Sequence, residues 1–307
     1  MKIGFFTAPL TNMSLDDLLK WGKEEGFQAL EISCWPRTYK KRRYAGNQHI
    51  SVEELTISEA SEINGKFKEY NLDISSLGYY PNYLEPDPKE ADFSKNHLKK
   101  VIKAASLLGV DNVGTFIGRD SKKNLKESLK DFKRVFTDLV KYAEDYNVKI
   151  AIENCPMLWE DRWPGGNNLA SSPEIWALMF ELIPSKNLGL NFDPSHLVWQ
   201  FIDYVQAVYD FRDRIYHVHA KDTRIMPDIL SRVGARGFGF YKDKVAGLGD
   251  INWKKFISAL YEIKYQGVVS IENEDRDFEG EESAILKGIK LGKKLISQYI
   301  VDYPKST

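Results

Sequence analysis

Side chains able to hold a cation or move a proton gather at the ends of four short apolar runs. LGLNFDPSH carries Asp193 and His196, and RIYHVHAKD carries His219. IAIEN ends with Glu153 before its Asn, and VVSIEN does the same with Glu272. In HVHAKD, His217 and Lys221 share a face with His219, because side chains alternate along a strand. Singly, each residue has a bland explanation. A Glu at a strand end is commonly a solvated loop residue, and His217 reads as a core histidine satisfied by hydrogen bonds. The set argues otherwise: three carboxylates buried together are costly unless a cation neutralises them. Three oxygen ligands and one imidazole suit one borderline-hard divalent ion, Mn²⁺ foremost, with Mg²⁺, Co²⁺ or Zn²⁺ as alternatives.

Such a set works only if the fold brings the four ends together. Strands are expected over Lys2–Ala8, Ala29–Ser33, Asp73–Tyr80, Val113–Ile117, Val148–Asn154, Leu188–Asp193, Ile215–Ala220 and Val268–Glu272. Between them the apolar spacing predicts helices. They run from Ser14 to Gly26, then over Val52–Tyr70, Phe93–Leu108, Leu125–Tyr146, a segment starting at Pro173, Leu197–Phe211, Trp253–Ile263 and Glu282–Tyr299. Eight strand–helix units imply a parallel sheet closed into a single (β/α)8 barrel spanning residues 1–307. In that architecture the chemistry sits at the C-terminal ends of the strands, where these residues fall. The stretch 223–251 is long for a strand–helix connection and is expected to form a lid.

The net charge of −1 supplies no general attraction for nucleic acid or anionic membrane. No apolar run approaches the ~18 residues of a membrane span, and MKIGFFTAPL reads as a first strand rather than a secretory segment. Two cysteines, Cys34 and Cys155, give no disulfide framework, so a reducing cytoplasm is the expected location.

IAIEN, NFDPSH, HVHAKD and SIENED, in that order, resemble the sugar phosphate isomerase/epimerase family of xylose-isomerase-like barrels, which includes ketose 3-epimerases. The resemblance covers nearly the whole chain. It implies that Glu153, Asp193, His219 and Glu272 bind one divalent metal and that Glu153 and Glu272 form the acid/base pair. It also implies that His196 contacts substrate oxygens and that an Arg beyond the metal His does the same; Arg224 is nearest, at a spacing that does not match cleanly. Endonuclease-IV-like repair enzymes share this barrel, but they need histidines on earlier strands that DISSLGYY and NVGTFIG lack.

A divalent ion holding a sugar carbonyl and its neighbouring hydroxyl acidifies the C–H between them through an enediolate. Proton return on the same or the adjacent carbon gives epimerisation or isomerisation. Expulsion of a β-substituent would instead give a lyase acting on 3-oxo-glycosides. The large subunits of C-glycoside deglycosidases, similar in motif, work that way with a small partner subunit. Glu153 and Glu272 are the proton-transfer candidates in either case, with His196 and Lys221 placed to bind oxygens. Trp159, Trp35, Tyr79, Tyr80, Trp163 and Phe238 are candidate wall aromatics for a sugar or an oxidised glycoside. Arg232 and Arg236 are candidate phosphate contacts, whereas the basic run from Lys40 to Arg43 reads as a solvated face. A homo-oligomer or a complex with a small second subunit is compatible with the chain. The reading from another class is a non-catalytic sugar-binding barrel.

Overall fold

The computed structural model describes residues 1–37, 45–158 and 166–301. Strands β1 (Lys2–Phe6), β2 (Ala29–Ser33), β3 (Asp73–Gly78), β4 (Asn112–Thr115), β5 (Lys149–Glu153), β6 (Leu188–Phe192) and β7 (Ile215–Ile225) pair in parallel, each with the next. Beyond β8 (Tyr241–Val245), β9 (Val268–Ile271) lies between β7 and β1. With β6 paired to β7, eight parallel strands close into a barrel. Around it run α1 (Leu15–Glu24), α2 (Ile57–Tyr70), α3 (Pro88–Leu108), α4 (Leu125–Asp145), α5 (Pro173–Leu182), α6 (Ser195–Val198), α7 (Tyr204–Asp210), α8 (Pro227–Val233), α9 (Trp253–Glu262) and α10 (Glu282–Ile296). No helix among the described residues is long and apolar enough to cross a membrane.

Although Phe6 of β1 turns inward to stack on His219, apolar strand residues pack outward on the helices. Phe192 of β6, for example, packs on Trp176 of α5 and Phe256 of α9. The barrel interior near the site is polar instead: Glu31, Asn191, His217, His219 and Ser270 are all buried and joined by hydrogen bonds. Gly114 on β4 makes this possible, because a Cβ there would lie 2.2 Å from the Tyr80 hydroxyl that reaches across the barrel.

Several boundaries differ from the sequence expectation, each for a local reason. α2 begins five residues later than expected, at a capping box formed by Thr56 and Glu59. α3 begins earlier, because Asp87 caps a helix that opens on Pro88. The helix expected over Leu197–Phe211 is two short ones, interrupted where Phe201 turns to a φ of 58° and Asp203 caps α7. The stretch 223–251 is no irregular loop. β7 runs on to Ile225 and pairs antiparallel with β8, Lys221 opposite Val245 and Ile225 opposite Tyr241, with α8 at the tip.

His49 gives the fold an acid-sensitive point. Its ring lies between the Thr7 hydroxyl at 3.0 Å and the Leu10 carbonyl at 3.1 Å. Burial outweighs the backbone hydrogen bonds and draws its pKa from 6.5 down to about 4. The folded state therefore holds His49 neutral where the unfolded chain protonates it, so its contribution to stability is complete above pH 6.5 and is lost as pH falls toward 4. In thermal unfolding scans across this window, His49→Gln should flatten the acid slope of the wild-type melting curve. Identical slopes in the two proteins would contradict this.

Candidate metal centre

Glu153, Asp193, His219 and Glu272 each offer one ligand atom, and the four atoms lie within 4.8 Å of one another. The local scaffold explains how they arrive. Asn154 and Asp193 lock the ends of β5 and β6 together: the Asn154 amide donates to the Asp193 carbonyl at 2.9 Å, and Asp193 N–H donates back to Asn154 Oδ1 at 2.8 Å. Ser195 N–H donates to Asp193 Oδ1 at 2.8 Å, which leaves Oδ2 turned to the centre. His219 Nε2 pairs with Glu31 Oε2 at 2.8 Å, so the imidazole presents Nδ1. Glu31 is held in turn by the Tyr80 hydroxyl at 2.5 Å and the Ser270 hydroxyl at 3.1 Å.

Asp193 Oδ2 and His219 Nδ1 are buried and make no well-directed hydrogen bond; their close neighbours are ion-pair partners, Lys221 and His196 at 3.1 and 3.2 Å from Oδ2 and Glu272 at 3.1 Å from Nδ1. Ligand atoms held by charge rather than by directed hydrogen bonds, beside two carboxylates, fit a cation, and the donor set of three oxygens and one nitrogen suits a hard or borderline ion. His219 anchored by a carboxylate is the support that metal-ligating imidazoles ordinarily have.

Without a metal ion, the charge is balanced by the chain itself. Lys221 Nζ reaches Glu272 at 2.8 Å, Glu274 at 3.0 Å, Asp193 at 3.1 Å and Glu153 at 3.8 Å. Burial disfavours the ammonium, but these carboxylates outweigh it and hold Lys221 well above its ordinary pKa. His196 Nε2 lies 3.2 Å from Asp193 Oδ2 and 3.3 Å from Glu153 Oε1. Burial alone would raise the Glu153 carboxyl; Lys221, His196 and His219 more than offset it, and the group stays ionised.

A family model described as a xylose isomerase-like TIM barrel matches residues 19–295. The chain belongs to that family. An inosose dehydratase from Clostridium tetani is 28% identical over 89% of this barrel and 90% of its own length. D-psicose 3-epimerase from Clostridium cellulolyticum H10, solved with D-tagatose, superposes with a TM-score of 0.71 at 16% identity, over 97% of this chain and 99% of that one. The structure of the IOLI protein with a bound zinc atom gives 0.70 at 21%, over 98% and 99%.

Not every sequence candidate of this family member joins the cluster. Arg224 is exposed and donates to the Leu248 carbonyl at 2.6 Å, because β7 carries it out along the hairpin with β8. Trp159, Trp163 and the run from Lys40 to Arg43 lie outside the described residues. Trp35 and Tyr79 pack against each other in the core, ring centroids 5.0 Å apart, and Phe238 and Arg236 are exposed on the hairpin. Arg232 donates to the Asp228 carbonyl within α8. His217 is a satisfied core histidine, bonded to Asn191 Oδ1 at 3.0 Å and the Ser75 hydroxyl at 3.1 Å.

Glu31, Asn191 and Tyr241 also build the site, although none is among the candidates read from the sequence. Glu31 had a usable signal, an acid inside the apolar run ALEIS. Tyr241 had none, since only the hairpin stacks it on Trp199, centroids 4.6 Å apart, within electrostatic reach of His196 and Lys221. If Glu31 orients His219, Glu31→Gln lowers divalent-ion affinity by roughly 10- to 100-fold, measured by competition with a chelator. Unchanged affinity would remove Glu31 from the centre.

Proposed function

We propose that this barrel is a divalent-metal-dependent enzyme that moves a proton on the carbon next to a sugar carbonyl, as an isomerase or epimerase. The observation that carries the reading is the convergence of Glu153, Asp193, His219 and Glu272, whose ligand atoms lie within 4.8 Å of one another. When bound, the ion supplies Lewis-acid polarisation of a carbonyl and its neighbouring hydroxyl. Asp193 Oδ2 and His219 Nδ1 would hold it in place of their present ion pairs with Lys221, His196 and Glu272, with the two glutamates completing the set.

Glu153 and Glu272 approach from β5 and β9, with β6 and β7 between them. One carboxylate removes the proton and the other returns it. Glu153, ionised in its present setting, is suited to removal. His196 Nε2, beside both Glu153 and Asp193, is placed to donate to a substrate oxygen, and Lys221 Nζ to neutralise charge that develops there. The β7–β8 hairpin brings Tyr241 to the mouth as a wall and serves as its lid.

A second reading keeps the same proton removal and ends in elimination. The inosose dehydratase relative favours it, since loss of water is the simplest expulsion of a β-substituent. A lyase acting on 3-oxo-glycosides with a small partner subunit is its extended form.

Ketoses, a keto-inositol and 3-oxo-glucosides incubated with the metal-loaded protein in deuterium oxide test both. Metal-dependent label next to the carbonyl with the carbon skeleton intact is the expected result for an isomerase or epimerase. Release of water or an aglycone would select the lyase. No exchange and no elimination from any member of the panel would sink the proposal and favour a binding-only barrel.

A further inference from the structure

Glu153 also belongs to a second cluster. Donor atoms of Glu153, Cys155 and His196 also lie within 4.8 Å of one another. The thiol of Cys155 donates to Met157 Sδ at 3.4 Å, so a thioether adjoins the same point. Cys155 and Met157 are half-buried, whereas Cys34 is fully buried.

The backbone that carries this sulfur is clamped. Asn168 Nδ2 donates to the carbonyls of Glu153 and Cys155, at 3.0 and 2.8 Å. Met157 is held at a φ of 56°, a left-handed conformation that a non-glycine residue adopts only under outside constraint, and Asn167 N–H bonds its carbonyl at 3.1 Å. The backbone that carries the thiol is therefore fixed beside His196.

We propose that Glu153, Cys155 and His196, with Met157 beside them, form a second cation site that selects a soft or borderline divalent ion such as Zn²⁺ or Cd²⁺. It shares Glu153 with the oxygen-rich centre. Hard Mn²⁺ and Mg²⁺ gain little from sulfur, whereas zinc-group ions prefer thiolate and imidazole. Binding replaces protons by the ion: the S–H bond breaks, sulfur–metal and nitrogen–metal bonds form, and the thiol proton together with the proton on the ligating nitrogen of His196 leaves to solvent. An ion here also engages His196, so excess Zn²⁺ should inhibit turnover. That consequence rests on the proposed function; the site itself does not.

Stripped protein titrated with Cd²⁺ tests the site through the ultraviolet thiolate-to-cadmium absorption, which the oxygen-rich centre cannot produce. Two equivalents per chain are expected, one of them raising the band. Cys155→Ser should lose the band and one equivalent, Cys34→Ser should keep both, and Mn²⁺ should bind one equivalent throughout. In the unaltered protein, Cd²⁺ should slow alkylation of Cys155 by iodoacetamide at least tenfold, read by mass spectrometry. Absence of the band in the unaltered protein, its survival in Cys155→Ser, or unprotected alkylation would each overturn the proposal.

Discussion

Glu272→Gln should leave the barrel folded and reduce metal-dependent turnover by roughly 10³-fold or more, the scale set by loss of a general acid–base group. The side chain accepts from Lys221 Nζ at 2.8 Å and lies 3.1 Å from His219 Nδ1, so it serves both the ion and the proton. An amide keeps the shape but cannot carry the proton, and it offers the ion a weaker, uncharged ligand. Divalent-ion affinity should fall by about tenfold or more. Metal-free stability should not fall, because the change removes one negative charge from a site that also holds Glu153, Asp193 and Glu274 around Lys221. Deuterium exchange, ion titration and thermal unfolding separate the three effects. A fully active variant would remove Glu272 from proton transfer.

Lys221→Met should show the opposite pattern, a large loss of stability that metal reverses. In the metal-free protein Lys221 is the ammonium shared by four carboxylates, and it is 1% exposed. Removing one partner of a buried charge network costs about 3–5 kcal/mol, because the remaining charges lose their compensation. A bound divalent ion supplies that compensation by another route, so Mn²⁺ should stabilise the variant more than it stabilises the wild type. Thermal unfolding of both proteins with chelator and with Mn²⁺ measures the difference. An equal loss in both conditions would mean that Lys221 acts by packing and not as the counter-charge of the cluster.

The barrel was legible because its signal is repetitive. Short runs such as IAIEN and LGLNF read as buried strands whichever residues flank them, and position at a strand end places Glu153, Asp193, His219 and Glu272 on one mouth. Capping chemistry was legible at Ser14, where both halves of the box form. It was hidden at Thr56, which the helix expected from Val52 runs through, and at Asp87, where the prolines of PNYLEPDP read as loop. The break at Phe201 was hidden because nothing in WQFIDY requires a left-handed residue; tertiary packing imposes it. The support of the site was harder to see than its ligands. Glu31, Tyr80 and Ser270 come from β2, the end of β3 and β9, and only barrel closure brings them together on His219. Arg224 failed to join the site for a related reason. Sequence spacing cannot tell a strand that ends at its ligand from one that continues into a hairpin.

The most direct test of the centre is Mn²⁺ binding to chelator-stripped protein, measured as free Mn²⁺ by electron paramagnetic resonance for the wild type and for Asp193→Ala. Asp193 offers Oδ2 and takes part in no other proposed cation site. One equivalent per chain in the wild type, lost or weakened by at least ~10²-fold in Asp193→Ala with the fold intact, is the predicted result. No Mn²⁺ bound by the wild type, or undiminished binding by the variant, would contradict it.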